Sequence, residues 1–184
     1  MKQQFTKTHG GSVAKPPGAS NGDAQTIGYS AEVMKYFEPT LTVVNLSAVD
    51  TCHQNYTGFL QSLHQADHSV GWLWDYIQNN IPGMKNDTIM IVTPECGRDF
   101  NPNPIQDGAN GYYSYDHSDS NSQRGWCSLV GGDIPAGQTF GNSNNSIGLT
   151  TNVVPTIADI LGIKSQVIGA NFLAPGTQSF YDFW

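Results

Sequence analysis

Two short runs of β-branched and apolar residues, "LTVVNL" at 41–46 and "DTIMIVT" at 87–93, bracket one long helical period. No other feature constrains the fold as much. Between the runs, Tyr56, Leu60, Leu63, Asp67, Val70, Trp74 and Ile77 recur at spacings of three and four, the repeat of one helix face. The spacing predicts a helix over 55–80, ended by "NNIPG". Short apolar runs of this kind suit strands buried on both faces of a parallel sheet. Strand, helix and strand in this order predict a right-handed parallel crossover. The expected fold class is α/β, a mostly parallel sheet flanked by helices. Asp67 falls inside the apolar stripe and is expected to have a partner.

The flanks are less regular. Residues 1–28 are rich in Gly, Ser, Pro and Gln without periodicity, and read as an extended or flexible arm ahead of a domain over 29–184. Ser30 is placed to cap a short helix, "SAEVMKYFE", which Pro39 ends. Residues 99–125 form a long polar loop, a length that in a compact domain marks function or disorder. "WCSLVGG" reads as a third strand, and "DIPAGQTFG" as a turn with an edge segment. Asn152 can cap a helix, "VVPTIADILGI", with Pro155 in its first turns. The aromatic tail, "NFLAPGTQSFYDFW", is expected to pack down.

A chain of 184 residues suits one domain with a real core. Only 12% of residues are charged, and Asn, Ser, Gly, Gln and Thr do the solvating instead, a surface more usual in secreted, periplasmic or cell-surface proteins. The net charge of −7, with no Lys/Arg cluster to neutralise phosphates, argues against nucleic acid as a partner. No apolar run approaches the roughly 18–20 residues of a membrane span. "MKQQFTKTHGGSVAKPP" lacks the apolar core of a signal peptide. Cys52, Cys96 and Cys127 are odd in number, which excludes a complete set of intrachain disulfides. The plain reading of each is a small buried hydrophobe.

In an open parallel sheet, ligands bind beyond the carboxyl ends of the strands. The first predicted strand runs out to Asp50-Thr51-Cys52-His53, and the second to Thr93-Pro94-Glu95-Cys96-Gly97-Arg98. The long loop adds Asp116-His117. Carboxylates and imidazoles from three segments are what a divalent metal needs, and zinc also accepts thiolate. Each taken alone has a plainer reading, since a strand-end Asp is usually a turn or cap residue and a loop His is usually solvated. His64 and His68 make an H-x-x-x-H pair without the Glu of H-E-x-x-H, and read as a solvated helix flank.

The order of these motifs resembles the C-terminal half of the alkaline phosphatase superfamily, which includes nucleotide pyrophosphatase/phosphodiesterases and sulfatases. "YFEPTLTVVNLSAVDTCH" resembles the helix, strand and D-x-x-G-H metal segment of the phosphodiesterase branch. "QADHSVGWLWDYIQNN" is similar to the helix that follows it, and "NDTIMIVTPECGRD" takes the place of the strand ending in S-D-H-G. "VVPTIADILGI" matches the late D-x-x-P-T-I-x-x-L-G-I helix. "TPECGRD", "YDHS" and "CSLVGGDIPAGQTFG" resemble an uncharacterised bacterial branch with S/T-E-F-G-R, D-H-G and Gly-Gly segments. Together the likeness covers roughly residues 30 to 165.

The resemblance implies a partial three-layer sandwich and two divalent metals, usually zinc, that clamp a phosphoryl or sulfuryl group and activate a nucleophile. It carries metal ligation to Asp50, His53, Glu95 and His117, and substrate binding to Arg98, which can equally pair with a nearby acid such as Asp99. The chain departs from the pattern in three places. Asp50 and His53 are one residue closer than in D-x-x-G-H, Cys96 replaces the His of S-D-H-G, and residues 1–28 hold no strand-to-helix turn with a nucleophile. Thr8, Ser12 and Ser20 are candidates by residue type only. The expected function is metal-dependent hydrolysis of small phosphate or sulfate esters by a partial catalytic domain, with the missing half or another subunit as partner. The alternative is a non-catalytic structural or interaction module that keeps the fold and one metal.

Overall fold

The computed structural model describes residues 13–53, 55–101, 116–166 and 179–183. Among them are three α-helices, α1 (Gly22–Phe37), α2 (Tyr56–Asn80) and α3 (Val153–Ile160), and two strands, β1 (Ile89–Val92) and β2 (Ser128–Gly131). Helix dominates. No helix of the described residues is long and apolar enough to cross a membrane.

Helix α1 begins eight residues before the expected Ser30 cap, inside the segment expected to be an arm. Asn21 is the cap: its side-chain oxygen accepts the Ala24 N–H at 3.0 Å, satisfying one donor that the first turn leaves free. Ser30 instead sits within the helix, its hydroxyl donating to Thr26 O at 2.9 Å. Gly28 permits the approach of the preceding chain, because a Cβ there would run into the Ala14 carbonyl. Glu38 ends α1 in the left-handed region at φ 41°, with its N–H donated to Met34 O.

Helix α2 spans the expected residues and is capped by Asn55, which accepts Gly58 N–H at 2.8 Å. Its buried face is Ala66, Ser69, Leu73 and Ile77, turned by about one residue from the predicted stripe. Asp67 is therefore exposed. Small residues at 66 and 69 shape this face, which the larger Leu63, Val70 and Trp74 obscured in the sequence pattern. Ile27, Ala31 and Met34 of α1 meet Leu73 and Ile77 of α2 and the following Ile81, and form the core. Val44, Leu46, Trp72, Tyr76, Met84 and Met90 close over it.

The expected parallel sheet is not found. The sheet among the described residues has two strands, antiparallel, with Ile89 opposite Gly131 and Val92 opposite Ser128. The third predicted strand is thus present, but it runs back along "IMIV" and is not a crossover neighbour. "LTVVNL" is extended without joining a ladder. Its residues alternate in exposure, with Val44 and Leu46 on the core and Leu41 (52%) and Val43 (81%) outward. Among the described residues, the main chain of 41–46 forms no hydrogen bond, and the Thr42 hydroxyl is buried without a partner. The apolar run dictated an extended backbone but could not dictate a ladder partner. The α/β sandwich is accordingly corrected to a mostly helical protein with, among the described residues, one two-stranded antiparallel sheet.

Helix α3 follows a 3₁₀ turn, Thr150–Asn152, and packs against a second one, Phe180–Phe183, in the aromatic tail. Thr156 joins them: its hydroxyl donates to Asn152 O and accepts Phe180 N–H, both at 2.7 Å. The rest of the tail, most of the long loop and the first twelve residues, with Thr8 and Ser12, lie outside the described residues.

Candidate metal centre

The extended segment ends where Asp23 catches it. This buried carboxylate, on the first turn of α1, accepts Ser47 N–H at 3.0 Å and Ala48 N–H at 2.9 Å. The bonds start a 3₁₀ helix, Ala48–His53, that packs on α2. Side chains three residues apart eclipse in a 3₁₀ helix. Asp50 and His53 therefore meet, with His53 Nε2 2.8 Å from Asp50 Oδ1. The shortened spacing that departs from D-x-x-G-H is what this turn needs.

The second segment leaves β1 at Val92 and doubles against residues 116–124. Gly97 N–H donates to Ser122 O at 2.7 Å, and a Cβ at Gly97 would collide with the Arg124 carbonyl. The Asn121 amide donates to Arg98 O at 2.7 Å, and Asp99 N–H donates to Asp116 O at 2.8 Å. The Asp99 carboxylate accepts Ser118 N–H, Ser118 Oγ–H and Asp119 N–H, each at 2.7 Å. Burial raises the Asp99 pKa, but these donated hydrogen bonds outweigh it and hold the carboxyl below its ordinary value.

The doubling places Asp116 and His117 over His53. Asp116 Oδ1 lies 2.8 Å from His53 Nδ1 and 3.5 Å from His117 Nε2. The two imidazoles stand edge to face with centroids 4.8 Å apart. One donor atom from each of His53, Asp116 and His117 falls within 4.8 Å of the others. Bond lengths of about 2.0–2.2 Å to zinc set donor atoms roughly 3.3–3.6 Å apart in a tetrahedron, so small side-chain rotations close the set around an ion. The donor chemistry fits as well. Both ring nitrogens of His53 face carboxylate oxygens at 2.8 Å, an arrangement in which a metal ion could take the place of one proton. Were His53 to hold an ion, Asp50, 2.8 Å from Nε2, would accept the remaining ring N–H, the carboxylate–histidine arrangement that orients metal ligands.

The sequence-derived site residues are thus placed unequally. Asp50, His53 and His117 come together, and Asp116, which the resemblance left out although it adjoins His117, sits between the two histidines. Arg98 flanks them, with Nη2 3.7 Å from Asp50 Oδ1 and its guanidinium 5.8 Å from the Phe59 ring centre. Its Nη1 is buried without a hydrogen-bond partner. Glu95 is outside the group and accepts the Cys96 thiol at 3.2 Å. Burial, then the bond to Glu95 and its charge, push the Cys96 pKa up. His68, on the helix flank, meets Pro17 O at 3.0 Å, while His64 is exposed. Ser20 precedes α1 and is exposed. Asp23 lies in no motif that the sequence flags, and Asp99 stands out there only as an alternative partner of Arg98.

No family model, no curated protein and no solved structure matches the chain.

Proposed function

We propose that the chain binds one divalent metal ion, zinc by its donor set, through His53, Asp116 and His117, and hydrolyses small phosphate or sulfate esters there. The observation that carries the reading is His53 held between two carboxylates with a second histidine against one of them. Three protein ligands leave a tetrahedral ion one open position, as catalytic sites require. A bound ion supplies Lewis-acid polarisation of the ester and a water acidic enough to attack near neutral pH. Asp50 holds the His53 tautomer. Arg98, whose Nη2 lies 3.7 Å from Asp50 Oδ1 and whose Nη1 is buried without a hydrogen-bond partner, would balance the anion's charge. Glu95 is left outside this ligand set. The fold of the alkaline phosphatase superfamily lends no support, so the reading rests on the site's own chemistry. The low charge content favours a secreted, periplasmic or cell-surface setting.

A second reading, an interaction module that keeps the metal without turnover, is favoured by residues 41–46. Their unpaired main chain and outward Leu41 and Val43 present a strand edge. They line, with β1, a trough of about 2510 Å³, well above the roughly 300–1,000 Å³ of small-molecule pockets. A strand from another polypeptide would satisfy that edge.

Assays with p-nitrophenyl phosphate, bis-p-nitrophenyl phosphate and p-nitrophenyl sulfate, with zinc supplied, separate the two. Turnover that a chelator and His53→Ala both abolish establishes the hydrolase. Bound zinc without turnover on any of the three leaves the module.

A further inference from the structure

The ligands in the proposed site come from two separate segments, and nothing in the local sequence of Asp116 and His117 explains why they stand opposite His53. Asp99 does. It is 6% exposed, and it grips the loop on both sides of His117. Its N–H is donated to the carbonyl of Asp116 at 2.8 Å. Its Oδ1 accepts Ser118 N–H and Asp119 N–H, and its Oδ2 accepts the Ser118 hydroxyl, all at 2.7 Å. Four bonds from one residue therefore fix the main chain immediately before and after His117. The carboxylate is itself anchored, because Arg98 next to it is bonded through its carbonyl to Asn121. Bonds to an ionised acceptor are about twice as strong as neutral ones, and a buried carboxylate stripped of its donors is costly. The loop cannot leave this position without forfeiting them together.

We propose that Asp99 is the positioning residue of the metal site, holding Asp116 and His117 at the distance from His53 that an ion can bridge. This rests on the metal-binding reading above. It assigns Asp99 no contact with the ion, and it predicts that the residue controls affinity and coordination geometry without supplying a ligand. Asp99→Ala removes all three accepted bonds. Asp99→Asn keeps the acceptor for the two main-chain donors, and its amide can donate to the Ser118 hydroxyl. Ser118→Ala removes one bond and leaves the rest.

The test is Co²⁺ titration of the full chain, read by affinity and by the visible ligand-field bands, with far-UV circular dichroism on each metal-free variant. Wild type is expected to bind one Co²⁺ with the intense bands of a four-coordinate site. Asp99→Ala should bind about 10–100-fold more weakly, the range for groups that orient metal ligands, with weakened and shifted bands and unchanged helical content. Asp99→Asn should recover part of the affinity and the band shape, and Ser118→Ala should lose less than Asp99→Ala. Wild-type affinity and bands in Asp99→Ala would overturn the role of Asp99 and leave the metal site standing. A wild type that takes up no Co²⁺ would overturn the metal site and the role together. If Asp99→Ala fails to fold, wild-type affinity and bands in Ser118→Ala overturn the proposal.

Discussion

Asp116 Oδ1 lies 2.8 Å from His53 Nδ1, although one residue is in the 3₁₀ turn after the extended segment and the other is in the loop beyond β1. The opposite ring nitrogen of His53 meets Asp50 at the same distance. The two carboxylates therefore have different standing. Asp116 shares its oxygen with a second imidazole, His117, whereas Asp50 contacts His53 and the edge of Arg98.

That difference is testable by mutation. His53→Ala, Asp116→Ala and His117→Ala each remove a proposed ligand, and each should abolish stoichiometric zinc binding in equilibrium dialysis. Asp50→Asn still accepts the ring N–H but loses the charge, and should weaken binding by about 10–100-fold without abolishing it. Equal loss in Asp50→Asn and Asp116→Ala would make Asp50 a ligand as well.

In the proposed hydrolase, Arg98 would meet the substrate anion. Its planar fork matches tetrahedral oxyanions in a way a lysine does not. Arg98→Lys should weaken inhibition of any hydrolysis by inorganic phosphate or sulfate by roughly tenfold, the effect of losing one charge-assisted bond worth about 1.5 kcal/mol. Zinc affinity should be unchanged. An unchanged inhibition constant would assign Arg98 to Asp50 alone.

The C-terminal turn depends on one buried hydroxyl. Thr156→Val keeps the shape of the side chain but strands the Phe180 N–H, which now bonds to Thr156 Oγ1. Urea unfolding should show a loss of about 1–3 kcal/mol, the cost of an unsatisfied buried donor. Thr156→Ser should lose much less. A neutral Thr156→Val would mean that Phe180 finds water.

Cys127 gives a pH prediction. Burial pushes its thiol up to about 11. Its thiolate fraction at pH 8 is then on the order of 10⁻³, against roughly a quarter for an ordinary thiol near 8.5, so alkylation by iodoacetamide should be slow in the folded chain and fast in urea. The folded value is raised, so the associated stability is complete below the unfolded value and is lost as pH rises from about 8.5 towards 11. Cys127→Ala should lack that alkaline decline. Rapid labelling of native Cys127 at pH 8 would contradict it.

What the sequence disclosed follows from which interactions are local. The α2 period and its bounds were legible, because the periodicity of an amphipathic helix is written in the helix itself. The strand at 89–92 and the one at 128–131 were legible as extended runs. Their pairing was not, because antiparallel and parallel ladders draw on the same β-branched residues. The Asn21 cap was hidden by the Gly, Ser and Pro around it, so α1 was expected to start at Ser30. Asp50 and His53 were singled out by their position after an apolar run, His117 by its place in the long polar loop, and all three by resemblance. Asp99 was not, since its importance lies in main-chain donors from residues 118 and 119, which only the folded loop brings to it.

The most direct test of the central claim is the zinc content of the purified chain after dialysis against buffered zinc, measured beside His53→Ala and His117→Ala. One zinc per chain in the wild type, and none held by either variant, is the predicted result. No zinc in a folded wild type, or zinc retained in both variants, would contradict it.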